Sequence, residues 1–213
     1  VGAAPRGGLP ALSLPALLQQ AARTHAERPA LLWDGGRLTH GEVDARACAL
    51  ARALDARGIG AGDRVAVAIA NGWQLVVAVL GALKAGATVA PLDPLLKADE
   101  RADILADLAP AIVLEDAPAH TATWTPREPA GPALILYTSG STGRPRGARL
   151  SHAAVASALQ SWAGPVMALT PADVVLAALP LSHSYGLNGA LLAPLLAGAT
   201  VRLVERFTAD AAA

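Results

Sequence analysis

Apolar residues recur at helical spacing along much of this chain. Between residues 41 and 56, Val43, Ala47, Leu50, Ala51 and Leu54 form one stripe while Asp44, Arg46, Arg52 and Asp55 fall elsewhere, the pattern of an amphipathic helix. Further helices are predicted at 14–26, 72–84, 98–108, 152–162 and 187–197. Between them lie short apolar runs at 64–70, 88–91, 111–114, 133–137, 174–178 and 199–204, whose lengths suit buried strands. Such alternation predicts an α/β fold with layered, mostly parallel sheets flanked by helices. The Pro- and Thr-rich stretch 117–132 reads as a linker, dividing a first α/β portion at 1–116 from a second at 133–213. No internal repeat is visible.

Composition narrows the function classes. The 17 basic and 17 acidic residues cancel, so the chain lacks the electrostatic footprint of a nucleic-acid or anionic-membrane binder, and a small-molecule partner is favoured. The single cysteine, Cys48, lies on the 41–56 helix and reads as a small buried residue, not a nucleophile. One cysteine allows no disulfide within the chain, which fits a reducing, cytoplasmic setting. No leader pattern opens the given sequence. The longest uncharged run, residues 174–201, contains Pro180, Ser182, His183, Ser184, Asn188 and Pro194. Those polar groups would be stranded in lipid, so no membrane span is expected.

The candidate chemistry is concentrated in Tyr137-Thr-Ser-Gly-Ser-Thr-Gly-Arg-Pro-Arg-Gly147. Gly140, Gly143 and Gly147 can turn successive amides toward an anion. Thr138, Ser139, Ser141 and Thr142 add hydroxyl donors. Arg144 and Arg146 supply guanidinium groups able to grip two phosphate oxygens at once. A solvated turn would use many of the same residue types, so the loop taken alone leaves both readings open.

Two other phosphate-binding patterns fail on spacing. A Walker A loop started at Gly140 would need Gly-Lys-Ser/Thr where the chain has Pro145, Arg146 and Gly147. The nearest dinucleotide fingerprint, Gly58-Ile-Gly60-Ala-Gly62-Asp63, has an aspartate in place of the third glycine.

Four stretches in order resemble the adenylate-forming superfamily of acyl-CoA synthetases, luciferases and peptide-synthetase adenylation domains. Tyr137 to Gly147 matches its phosphate loop except that Arg146 replaces a lysine. Pro180-Leu-Ser-His-Ser-Tyr-Gly-Leu187 resembles its next motif, Leu83-Lys-Ala-Gly-Ala-Thr-Val-Ala-Pro-Leu-Asp-Pro94 its early structural motif, and Arg37-Leu-Thr-His-Gly-Glu42 its opening one. The resemblance runs from about Leu12 to Ala213. It stops before the family's adenine, ribose, hinge and catalytic-lysine segments, so the chain is expected to be the N-terminal portion of that fold and to join a C-terminal portion of the same enzyme.

The resemblance implies ATP-dependent activation of a carboxylic acid to an acyl-adenylate, followed by transfer to CoA or a carrier-protein thiol. It implies Arg146 and His183 as catalytic residues. Thr138, Ser139, Gly140, Ser141, Thr142, Gly143, Arg144 and Gly147 would bind phosphate, and Tyr185 and Gly186 would line the acyl pocket. Mg2+ is implied as well, with its protein ligand expected outside this chain. Amino-acid-activating relatives carry Phe-Asp where this chain has Leu181-Ser182-His183, and fatty acyl-AMP ligases tend to have His-Asp where it has His183-Ser184. The first departure favours an acyl substrate without an α-amino group, and the second leans toward the acyl-CoA synthetase branch, with fatty-acid metabolism as its setting. The change at Arg146 keeps a non-catalytic, adenylation-like domain as the alternative.

Overall fold

The computed structural model describes residues 13–138 and 145–204. Among these residues two sheets form. One has five strands in the order β5-β3-β4-β6-β7, and the other has four in the order β2-β1-β9-β8.

The five-stranded sheet contains β3 (Arg64–Val67), β4 (Thr88–Pro91), β5 (Ile112–Leu114), β6 (Leu134–Thr138) and β7 (Arg146–Leu150). Strands β5, β3, β4 and β6 are parallel, and β7 closes the edge antiparallel to β6. The four-stranded sheet joins β1 (Pro29–Trp33) and β2 (Gly36–Thr39), an antiparallel hairpin, to β9 (Thr200–Leu203) and β8 (Val174–Ala177), which run parallel to β1.

Helix α1 spans Leu14–Thr24, α2 His40–Asp55, α3 Trp73–Lys84, α4 Ala98–Leu108, α5 His152–Ser161 and α6 Ala193–Ala197. Helix α2 starts sharply because Thr39 and Glu42 form a capping box. The Thr39 hydroxyl accepts from the Glu42 amide at 3.2 Å, and the Glu42 carboxylate accepts from the Thr39 amide at 2.8 Å. Helix α3 is buried from Leu75 to Lys84. Its tight contact with α2 needs Gly81, where an added Cβ would stand 2.8 Å from Leu50 Cβ and 2.9 Å from the Ala47 carbonyl oxygen. Lys84 pairs with Asp44 of α2 at 2.7 Å, almost fully enclosed. One apolar core runs between the sheets and helices, from Leu14 and Leu31 through Val76 and Leu134 to Leu187 and Val201. A smaller one lies beneath α4, built on Ala66, Ala90, Leu92, Ile104, Leu108 and Ile135.

The α/β class and the mostly parallel pairing follow the sequence expectation. Several details differ. The β1–β2 hairpin is absent from the predicted elements, although Asp34-Gly35 between two apolar runs is a strong hairpin signal. Strand β7 is polar and mostly exposed, because an edge strand held by its partner's backbone needs no apolar pattern. Residues 68–70, predicted to continue the strand 64–70, lie outside β3, which ends at Val67. The expected helix 187–197 is instead a π-helical segment, Tyr185–Leu192, running into the short α6. Another π-helical segment, Trp162–Val166, extends α5.

Both sheets draw strands from either side of 117–132. That stretch crosses α2 and α3 under several bonds. Ala122 N–H donates to Ala45 O, Arg127 N–H and Trp124 Nε1–H both donate to Lys84 O, and Arg127 pairs with Asp55.

Candidate functional site

The described arms of the phosphate-loop motif are β6 and β7. Their antiparallel register sets Thr138 opposite Arg146 and Tyr137 opposite Gly147, so the intervening loop springs from the C-terminal end of a parallel-sheet strand, where open α/β sheets collect ligands. Ser139, Gly140, Ser141, Thr142, Gly143 and Arg144 lie outside the described residues. The hairpin is tied to α4 by Tyr137, whose hydroxyl donates to Asp107 Oδ2 at 2.6 Å. Partial burial, reinforced by this carboxylate, raises the Tyr137 pKa above the ordinary tyrosine value.

The second motif leaves the C-terminal end of β8. Leu181 is completely buried, His183 is exposed and Tyr185 stands 59% exposed. A compact turn sets the backbone here. His183 N–H donates to Pro180 O at 3.2 Å, Leu187 N–H donates to His183 O at 2.9 Å, and a Cβ at Gly186 would lie only 2.3 Å from Pro180 O. No side chain fits at Gly186 without moving that carbonyl. Asn188 Nδ2–H donates to Ser184 Oγ at 3.2 Å, a local contact.

The two motifs meet. Thr138 and Pro145, from the two arms of the hairpin, line one cavity of about 110 Å3 together with Ser182, His183 and Asp93. Asp93 and Ser182 also line an adjoining, largely apolar cavity of about 600 Å3 that includes Ile69, Leu75, Leu95 and Pro180. Arg146 and Gly147 line a different groove, of about 310 Å3, with Arg64, Arg149, Asp107 and Tyr137. Thr138 and His183 therefore converge on one space, while Arg146 stands in a cationic groove beside the hairpin. Tyr185 packs edge-on against Trp162, with ring centroids 5.1 Å apart at 82°. Gly186 packs against the Pro180 carbonyl, and neither Tyr185 nor Gly186 lines these two cavities.

Three contributors have little or no signature in the sequence pattern. Asn71 bonds the backbone at both Leu179 and Leu181, and its only sequence signal is a polar residue just past a strand. Asp93 falls within a motif whose reading is structural. Trp162 follows α5, where its scarcity as one of 4 tryptophans is the available cue. No group of three or more His, Cys, Asp or Glu side chains suited to a metal ion occurs among the described residues. None of the described helices is long and apolar enough to cross a membrane.

This is an α/β protein whose candidate ligand site forms where the arms of the β6–β7 hairpin, at Thr138 and Pro145, meet a histidine-bearing turn beyond a neighbouring sheet's strand. The AMP-binding enzyme family model matches residues 18–126 and 115–213, and the chain belongs to that family. It is 34% identical over 225 residues to the PKS-NRPS hybrid synthetase acdB of Aspergillus candidus, covering 90% of this chain and 9% of that protein. It is 30% identical over 209 residues to tyrocidine synthase 3 of Brevibacillus parabrevis, covering 86% of this chain and 3% of that protein.

Among solved structures, ATP-bound MatB from Rhodopseudomonas palustris superposes with a TM-score of 0.81 at 26% identity, over 94% of this chain and 47% of that one. The O-succinylbenzoate coenzyme A synthetase MenE of Bacillus subtilis, in complex with AMP, does so with a TM-score of 0.80 at 27% identity, over 92% of this chain and 57% of that one. The N-terminal subdomain of Klebsiella oxytoca NpsA shares the fold, with a TM-score of 0.79 at 20% identity over 94% of this chain and 55% of that one. The chain thus spans less than a tenth of the length of these curated relatives and about half of these solved structures.

Proposed function

We propose that this chain supplies the phosphate-gripping and acid-gripping part of an enzyme that activates a carboxylic acid with ATP. In that reaction a carboxylate oxygen bonds to the α-phosphorus and the bond to pyrophosphate breaks, giving an acyl-adenylate. The observation that carries the reading is the shared cavity of Thr138, Pro145, Ser182 and His183. Two motifs remote in sequence, one suited to phosphate and one to an acid, face a single small space.

The donor set fits a phosphoryl group. Thr138 lines the cavity, and the hairpin register brings the loop's two ends together beside it. The loop's hydroxyls and amides, from Ser139 to Gly143, would hold the β- and γ-phosphates, with Arg144 and Arg146 balancing charge as it moves onto the leaving pyrophosphate. His183 would orient the acid's carboxylate, while Tyr185 and Gly186 bound its side chain. Mg2+ would supply further charge neutralisation, and none of the steps assigned to this chain's residues depends on it.

Transfer of the acyl group to a thiol, of coenzyme A or of a carrier protein, would follow. The relatives named as a PKS-NRPS hybrid synthetase and a tyrocidine synthase favour a carrier thiol, and the one named as a coenzyme A synthetase favours the free cofactor. The 181–187 segment carries no carboxylate to meet an α-ammonium, which favours acids without one.

The test is carboxylate-dependent exchange of labelled pyrophosphate into ATP, using the longest encoded protein that carries this chain and a panel of fatty, aromatic and amino acids. Exchange with one class establishes adenylation and identifies the acid. A folded protein that supports exchange with none of them points to the non-catalytic alternative, for which the replacement of the loop lysine by Arg146 is the supporting observation.

A further inference from the structure

The geometry points to Asn71 as the residue that positions His183 in the shared cavity, acting through the backbone of the intervening turn. This rests on the adenylation reading for its kinetic consequence, but not for its structural one.

Asn71 follows β3 of the five-stranded sheet, whereas the His183 turn follows β8 of the four-stranded sheet. Its carboxamide makes a matched pair of bonds across that gap. Asn71 Nδ2–H donates to Leu179 O at 3.0 Å, and Leu181 N–H donates to Asn71 Oδ1 at 3.0 Å. The side chain thus substitutes for a backbone peptide group, offering one donor and one acceptor with the spacing that alternate strand residues require. Aspartate and alanine cannot supply both bonds, and glutamine would displace them by a methylene.

What Asn71 holds is short and stiff. Leu181 is anchored in the core with no exposed surface. Pro180 restricts the backbone between the two bonded residues, and its carbonyl accepts the His183 amide and packs against Gly186. Little freedom remains between the Asn71 clamp and the His183 Cα. The imidazole itself is exposed, so packing around the ring does not fix it, and its location must come from the backbone beneath it. Asn71 also lines the larger cavity beside Pro180 and Ser182.

A misplacement of about 1 Å at a reacting group can cost roughly 100-fold in rate. Asn71→Ala in the longest encoded protein is therefore expected to slow the half-reaction that His183→Ala slows, by roughly 10- to 100-fold. When His183 is already alanine, the same change should cost less than about threefold, because coupled residues are not additive. Multiplying losses would overturn the proposal, as would His183→Ala slowing neither half-reaction.

Hydrogen exchange gives a readout independent of activity. The Leu181 amide should lose most of its protection in Asn71→Ala, while the Ala66 and Val67 amides of β3 keep theirs. Unchanged Leu181 protection overturns the proposal. Asn71→Asp keeps the acceptor for Leu181 and loses the donor for Leu179, so it serves where the alanine variant fails to fold, with the same kinetic coupling expected. If the parent protein exchanges no pyrophosphate with any acid, the adenylation reading fails alone, and Leu181 protection still decides the clamp.

Discussion

Tyr137 of β6 and Asp107 of α4 are joined by a 2.6 Å hydrogen bond that ties the base of the phosphate-loop hairpin to the helix beneath it. Because burial and then the Asp107 carboxylate raise the phenol's pKa, the folded state keeps the proton at a pH where the unfolded chain releases it. The bond's contribution is therefore complete below about pH 10 and falls as pH rises beyond it. Tyr137→Phe should lower stability at pH 8 by about 1 kcal/mol, a modest figure because the site is partly exposed. The gap between wild type and variant in urea unfolding should narrow from about pH 10 upward; a constant gap would show that the phenol's proton is not linked to folding.

The buried His40 makes the opposite prediction at the acidic end. Burial is the main cause that lowers its pKa, opposed by backbone acceptors at Ala199 and Gly198. Below about pH 6.5 the unfolded chain takes up a proton that the folded one resists, so stability falls with pH. Urea midpoints measured between pH 7.5 and 5 should drop, and His40→Gln should flatten part of that drop. His152, whose pKa burial also lowers, contributes to what remains.

Gly186→Ala places a methyl about 2.3 Å from Pro180 O, and the obstacle is backbone, so the turn must open. We expect a loss of about 1–3 kcal/mol from overpacking, together with a fall in acid activation larger than that loss explains at temperatures where the variant stays folded. Thermal unfolding and pyrophosphate exchange, run side by side, separate the two effects.

Arg146→Ala should weaken pyrophosphate binding by roughly tenfold or more, the worth of a charge-assisted bond, and weaken AMP binding less. Calorimetric titration with each ligand provides the comparison. Equal losses would place Arg146 with Arg64 and Arg149 in a general cationic groove and away from the β- and γ-phosphates.

The long apolar segments are readable from the sequence because burial dictates their periodicity. Helix α4 spans the residues its pattern predicts, and β4 matches its predicted run. Strand β7 is not legible because its ladder bonds to β6 form through the backbone, whatever Arg146 and Arg149 carry as side chains. The π-helical turn at Tyr185–Leu192 reads in the sequence as an ordinary helix starting later, since one extra residue in a turn leaves apolar spacing nearly unchanged. For the site, motif order foretells its two halves, and Thr138 and His183 do share a cavity. Asn71 is invisible for a physical reason: its value lies in two bonds to residues more than a hundred positions away, which no local pattern encodes.

The pairing of Leu31 with Val201 has a consequence for synthesis. Strand β1 leaves the ribosome before its parallel neighbour β9, which follows 170 residues later, roughly 10 to 30 s at ordinary elongation rates. Through that interval β1 has only its hairpin partner β2, and a lone two-stranded hairpin is marginal in water. The apolar Ala30 and Leu31 must wait uncovered or be sheltered by α2. Completion of the four-stranded sheet thus waits for β9, and ribosome-stalled intermediates ending before β9 should be far more open to proteases at 29–39 than those ending after it.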